Sequence, residues 1–163
     1  MIPRLCTGES RLRSFQYNLL HRAIFTNSRL VKAKIISGPI RCTFCNIDDE
    51  TIEHLFGFCP VSRSLYLQLL SKILEHYDIG LSQVDLEPNN LIFGLTSDEP
   101  DIITVNHLLI MSKNFIYINR CNNNATPSFD SLLKFISSKI NMEKMSLSED
   151  NFRSKWQNFE FLF

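Results

Sequence analysis

The sequence predicts a mainly α fold: a small helical domain stapled by a Cys-Cys-His-Cys zinc knuckle, followed by a helical C-terminal half. Three observations predict it. Apolar residues recur at helical spacing in successive segments from residue 10 to residue 159. Capping residues, prolines and glycines punctuate those segments where helices start and stop. Residues 42–59, CTFCNIDDETIEHLFGFC, set Cys42 and Cys45 two residues apart, then His54 after eight more and Cys59 after another four. Three thiolates and one imidazole complete a tetrahedral shell for zinc.

Residues 10 to 25 read as an amphipathic helix with Leu12, Phe15, Leu19 and Ala23 on its apolar side. Arg11, Ser14, Asn18, His21 and Arg22 fall in one sector about 100° wide, which either meets phosphates or is simply solvated. Thr26 or Asn27 caps a short second helix, Ser28 to Lys34, which adds Arg29, Lys32 and Lys34. Gly38-Pro39 then breaks the chain and delivers it past Arg41 into the knuckle.

Cys-x-x-Cys forms a tight turn that lets both sulfurs face one ion. Phe44 inside it either stacks on an unpaired base or packs against Leu55 or Phe56. Asp48, Asp49 and Glu50 precede Thr51, a good N-cap, and read as helix-terminal charge. Residues five apart on a continuous α-helix point about 140° apart, so His54 and Cys59 cannot share an ion there. Gly57 is therefore expected to end the helix early, with Pro60 starting a new one. Cys59 then sits at a helix start, where thiolate is favoured.

Pro60 to Tyr77 reads as a longer helix with a stripe of Leu65, Tyr66, Leu69, Leu70, Ile73, Leu74 and Tyr77, ended by Asp78 and Gly80. His76 is expected at a helix end, outside the ligand set. Residues 81–97 lack a helical pattern and read as a linker, with LIFGL a short extended or turn segment, dividing a zinc-binding module (1–80) from a helical C-terminal region (81–163). Asp98 or Glu99 caps the next helix, with Pro100 in its first turn. Residues 101–121 are apolar nearly all round, as expected of a central buried helix. Asn106, His107 and Lys113 argue against a membrane span, and His107 reads as a hydrogen-bonded histidine at the helix surface. Asn122 to Asn124 end that helix. Ser128 caps another to about Lys144, and Ser148 caps the last, with Phe152, Trp156 and Phe159 as its stripe.

The segments FQYNLLHRAIFTNSRLVKAKI, CTFCN and ETIEHLFGFCP resemble the zinc-binding domain downstream of the reverse transcriptase in non-LTR (LINE-type) retrotransposon proteins. The likeness continues through LIFGL, NHLLIMSKNFIYINRC and PSFDSLLKFI to the terminal KW. It implies a nucleic-acid-binding domain, with RNA or DNA and the parent protein's reverse transcriptase domain as partners. Members carry a second aromatic in the LF-x-x-CP tail; Gly57 stands there in this chain, which bears on a packing contact and not on the ligands.

The 163 residues carry no net charge, unlike a typical dedicated nucleic-acid binder. The distribution is uneven: residues 1–45 sum to +7, residues 46–101 to −9 and residues 102–163 to +2. Contacts to nucleic acid are therefore expected at Arg11, Arg22, Arg29, Lys32, Lys34 and Arg41, with Phe44. The second function considered is a structural or protein-interaction module that packs on the polymerase without touching nucleic acid. It leaves room for a truncated copy of the element, because the chain starts at Met1 without a polymerase.

No catalytic set appears. Asp48-Asp49 lies between metal ligands and not on a polymerase hairpin, and no Asp follows Pro100-Asp101 at nuclease spacing before Asp130. Four protein ligands leave zinc no open position for water, so the ion is structural and no enzyme is expected. The start MIPRLCTGES lacks the apolar segment of a secretory signal, and no apolar run is long enough to span a bilayer. Five cysteines, three of them in the knuckle, suit a reducing intracellular compartment, nucleus or cytoplasm.

Overall fold

A computed structural model describes residues 3–77, 87–97, 99–122 and 126–162. Among these the chain is helical, and pairing of β type is confined to one isolated antiparallel bridge, Arg41 with Asp49. The order is α1 (Pro3–Cys6), α2 (Ser10–Leu20), α3 (Asn27–Lys32), a π-helical turn (His54–Phe58), α4 (Pro60–His76), α5 (Pro88–Phe93), α6 (Pro100–Cys121), α7 (Phe129–Ser146), α8 (Glu149–Trp156) and a 3₁₀ segment (Gln157–Leu162).

Helix α6 is the axis of the fold, packed against α1, α2, α4, α7 and α8. Its apolar circumference requires this, because a helix greasy on every side must be covered on every side. Only Ile118 among its expected apolar residues is substantially exposed. The stripes of α2 (Leu12, Phe15, Leu19), α4 (Leu65, Tyr66, Leu69, Leu70, Ile73) and the C-terminal segment (Phe152, Trp156, Phe159) are buried as their spacing predicts, but Leu74 and Tyr77, expected on the α4 stripe, are exposed and half-buried. Ser128 caps α7 by accepting the Ser131 N–H at 3.2 Å. His76 ends α4 on the surface, its ring stacked 4.3 Å from that of Phe161.

Two helices stop earlier than the sequence suggests. α2 ends at Leu20, and Ala23, expected on its apolar stripe, is exposed. The Ala23 N–H donates to the Asn18 carbonyl and the Arg22 N–H to the Leu19 carbonyl, the paired bonds of a Schellman ending. α3 ends at Lys32 the same way, with Ile35 donating to Leu30 and Lys34 to Val31. The left-handed position of each motif, normally glycine, is taken by Arg22 (φ 55°) and Lys34 (φ 57°). A cation at a helix C-terminus is favoured by the exposed carbonyls, which offsets part of that backbone cost.

The described part of the expected linker is not irregular. Residues 88–93 form α5, which buries Leu91 and Ile92, so LIFGL is helical in its first half and not extended. Six residues starting at a proline are too short to display a helical period. Asp78, Gly80, residues 81–86, Asp98, Asn123 and Asn124, which were assigned stop, linker or cap roles, lie outside the described residues.

The polar residues of α6 have interior roles. Asn106 receives the Leu95 N–H at 2.8 Å and donates to the Leu95 carbonyl at 2.9 Å. Lys113, fully buried, donates its Nζ to the Ile92 carbonyl at 3.0 Å, beside a second donor, Gln16 Nε2, at 3.1 Å. Backbone groups leaving a one-turn helix need such partners, because water does not reach them. His107 is not a surface histidine. It is buried against Trp156, and neither ring nitrogen has a hydrogen-bond partner. Its Nδ1 lies 3.8 Å from a Glu143 carboxylate oxygen. Burial, with the charges of Lys155 and Lys139, holds His107 neutral, well below the ordinary imidazole range. Its position on α6 looked solvent-facing only because the covering helix α7 is distant in sequence.

Burial lowers the Lys113 ammonium to about 7. A base whose folded-state value is depressed is bound by more protons in the unfolded chain between the two values, so stability rises with pH across that window. Between pH 7 and 10 the wild type should gain on the order of a few kcal/mol that Lys113→Met does not gain. Parallel urea titrations of both proteins check this; equal pH dependence would contradict it.

Candidate metal centre

The knuckle is built on short-range hydrogen bonds. The Cys42 N–H donates to the Asp48 carbonyl at 2.8 Å, Asn46 to Cys42 at 3.0 Å and Glu50 to Ile40 at 2.7 Å. Asn46 takes the left-handed conformation that closes the turn, which its short polar side chain tolerates. Backbone N–H groups of Cys45 and Phe44 point at the Cys42 sulfur, and the Ile47 N–H donates to Cys45 Sγ at 3.5 Å. A chain bent this tightly turns its amides inward, and thiolates are the acceptors they meet.

Thr51 caps the following helix as its sequence predicts, accepting the His54 N–H at 3.0 Å. The helix then widens. The Leu55 N–H donates to Thr51 in the ordinary α pattern, but the Cys59 N–H reaches back five residues to His54 at 2.6 Å. This π turn, and not an early stop at Gly57, returns Cys59 to the face that carries His54. Gly57 has a different function. A Cβ built there would stand 2.9 Å from Pro88 Cβ, so the missing side chain lets α5 lie directly on the π turn. Pro88 thus occupies the space beside the LF-x-x-CP tail.

Cys59 is the N-cap of α4, with Pro60 at the first helical position. A hydrogen bond with Cys42, together with the Ser62 and Val61 N–H groups, pushes its thiol down, whereas Cys42, as the donor partner, is pushed up.

The ligand atoms of Cys42, Cys45, His54 and Cys59 all lie within 4.8 Å of one another. Cys42 Sγ and Cys59 Sγ are 3.8 Å apart, and Cys45 Sγ is 3.2 Å from His54 Nε2. Two sulfurs bound to tetrahedral zinc at about 2.3 Å stand about 3.8 Å apart, so the donor set fits that ion in number, chemistry and spacing. Cys42, His54 and Cys59 are buried and Cys45 half-buried, and the sequence neighbours of His54, Ile52, Leu55 and Phe56, are buried as well. Among the described residues this is the group of ligating side chains able to share a metal. The remaining two cysteines lie outside this group, Cys6 buried and Cys121 exposed.

Two acidic residues read as helix-terminal charge do more specific work. Asp48 Oδ2 lies 3.6 Å from His54 Nδ1, where a carboxylate orients the ring whose Nε2 faces the sulfurs. Glu50 is wholly buried and joins three parts of the chain. It accepts the Thr43 N–H (2.8 Å) and hydroxyl (2.6 Å) from the knuckle, the Asn27 N–H (2.9 Å) from α3 and Arg120 Nε (2.8 Å) from the end of α6. Arg120 also donates to Asn27 Oδ1 at 2.7 Å. Burial by itself would raise the Glu50 carboxyl; the bonds from Thr43 and Asn27 and the Arg120 charge outweigh it and hold it below the usual range. No sequence signal marks this pair, because its partners are seventy positions apart.

The residues expected to meet nucleic acid divide into two groups. Arg22 pairs with Glu53 at 2.5 Å, and Arg41 donates to the Ile47 carbonyl at 2.6 Å and lies 3.8 Å from Asp49. Arg11, Arg29, Lys32 and Lys34 are exposed, and none has an acidic partner among the described residues. The Arg29 guanidinium lies 5.7 Å from the centre of the Phe25 ring. Phe44 is half-buried and packs against the core.

Residues 6–66 match the family described as zinc-binding in reverse transcriptase. The match starts at Cys6, runs through the knuckle and the π turn and ends within α4, so it contains all four ligating residues. This segment is thus similar to the zinc-binding modules associated with reverse transcriptases. No curated protein matches the chain. No helix among the described residues is long and apolar enough to cross a membrane. In the module, zinc would be held by Cys42, Cys45, His54 and Cys59. It would cross-link the knuckle to the start of α4.

Proposed function

We propose that the zinc-binding module is the nucleic-acid-holding section of a retrotransposon reverse-transcriptase protein, keeping RNA or target DNA in place beside the polymerase domain. The zinc is structural: its four protein ligands leave no coordination position for a water nucleophile. The observation that carries the reading is the run Arg29, Lys32 and Lys34, three exposed cations without acidic partners on and just past α3. Arg29 and Lys32, three residues apart, share one helix face.

The test is a salt titration of fluorescent RNA or DNA binding to the full zinc-loaded chain. Replacing Arg29, Lys32 and Lys34 together by Ala should lower the slope of log K against log salt by about 2–3, roughly 0.7–0.9 per lost phosphate contact. Replacing Arg22 and Arg41 should leave the slope near its wild-type value, because each already has an acidic neighbour. A slope indifferent to the triple replacement would reject the proposal.

A second reading is favoured by one specific feature. Pairing of Arg22 and Arg41 with the acidic stretch, together with exposed Ile35 and Ile36, suits a module that packs on its polymerase. Association with a reverse transcriptase domain that persists in high salt and is lost on Ile35→Asp would favour this alternative.

A further inference from the structure

Beside α2 lies a groove of about 470 Å³ lined by Arg11, Ser14 and Asn18 from that helix, Phe25 from the loop after it, and Asn114 and Tyr117 from α6. It falls in the size range of small-ligand sites. The lining is chemically uniform in one respect: it contains no carboxylate.

Each wall offers a different contact. Phe25 is a large apolar ring left 46% exposed, and its backbone is anchored because its N–H donates to the Tyr117 hydroxyl at 3.2 Å. Tyr117 is in turn braced by Phe15, ring centres 5.8 Å apart. The side-chain amides of Asn18 and Asn114 make no hydrogen bond among the described residues, so both the donor and the acceptor of each remain uncommitted. Arg11 is exposed at the rim, and Arg29 stands over Phe25. A fixed aromatic surface, free amides and flanking guanidinium groups together match the face, the edge and the phosphate of one nucleotide. A base within a duplex presents neither its face nor its pairing edge, so the ligand must be unpaired.

We propose that this groove takes one unpaired base of a single-stranded nucleic acid, stacked on Phe25, with its edge at Asn18 and Asn114 and its phosphate at Arg11. The proposal rests on the nucleic-acid-holding function above and specifies it: the module distinguishes single strands from duplexes. Arg29, Lys32 and Lys34 supply affinity for either form, and the groove supplies the preference.

The experiment measures binding of the full zinc-loaded chain to a labelled twelve-nucleotide RNA, the DNA of the same sequence, and the duplex of each. The wild type should bind the single strands about tenfold or more tightly than the duplexes. Phe25→Ala should remove most of that preference and leave duplex affinity unchanged, which also shows that the variant is folded. Phe25→Trp should retain the preference, with quenching of the added indole by single strands only, since Trp156 is buried. Asn18→Ala with Asn114→Ala should weaken single-strand binding in the same direction. Equal binding of single strands and duplexes by the wild type, or single-strand affinity unmoved by Phe25→Ala, would overturn the groove proposal while salt-dependent binding through Arg29, Lys32 and Lys34 stands. Failure to bind either form at low salt would overturn both.

Discussion

Removing the metal, by chelation or by Cys59→Ser, unfolds the knuckle first and then destabilises the whole chain. Residues 43–49 bury little beyond Phe44 and Cys45: Thr43, Asn46, Ile47, Asp48 and Asp49 are all exposed, so packing alone does not hold this loop. Its shape rests on a few backbone hydrogen bonds and on the convergence of four side chains. Zinc binding of this kind contributes an apparent ~10–16 kcal/mol to the ordering of small peptides, a quantity comparable to the whole stability of a typical domain. Hydrogen exchange should therefore show loss of protection at the Cys42, Asn46 and Glu50 amides on addition of chelator, before any change in the amides of α6. The effect should spread to the start of α4, where Cys59 is the N-cap. Exchange and circular dichroism unaltered by chelator would contradict the ordering role of the metal.

Glu50→Gln carries the second-largest expected effect. The variant keeps the shape of the side chain but leaves Arg120 buried without its countercharge, and breaking such a pair from one side costs about 3–5 kcal/mol. Urea denaturation of zinc-loaded wild type and variant at pH 7 measures this directly. The pH dependence has a definite sign. A carboxyl held low in the folded state contributes stability that is present above its ordinary value near 4.5 and lost as pH falls through the depressed folded value. The gap between wild type and Glu50→Gln should be widest at neutral pH and should close below pH 4.5. A constant gap across that range would show that the side chain acts by shape alone. Because Glu50 ties Thr43, Asn27 and Arg120, the variant should also loosen the knuckle against α6.

The Cys42, Cys45, His54 and Cys59 cluster and the main helices were legible in the sequence because their signals are local. Ligand spacing, Thr51 as a cap, Pro60 and Pro100 as helix starts, the apolar stripes of α2 and α4 and the apolar circumference of α6 are each contained within one segment. What escaped reading was set by single-residue geometry or by distant partners. The π turn differs from an α turn by one residue in hydrogen-bond reach, and nothing in HLFGF distinguishes them. Past the ends of α2 and α3 the left-handed position is held by Arg22 and Lys34, so the glycine that usually marks a helix stop is absent. Glu50, His107 and Lys113 look like surface residues in their own segments and are buried only because helices far along the chain cover them. Of the residues expected at a nucleic-acid face, Arg22 and Arg41 carry acidic neighbours that charge counting by region could not assign to them.

The central claim is that one ion joins the knuckle to the start of α4 through Cys42, Cys45, His54 and Cys59. X-ray absorption at the zinc edge, on purified chain with its metal content measured on the same sample, tests it most directly. The account predicts one zinc per chain with a shell of three sulfurs at about 2.3 Å and one nitrogen at about 2.0 Å. Absence of zinc, or a shell made of oxygen and nitrogen alone, would contradict it.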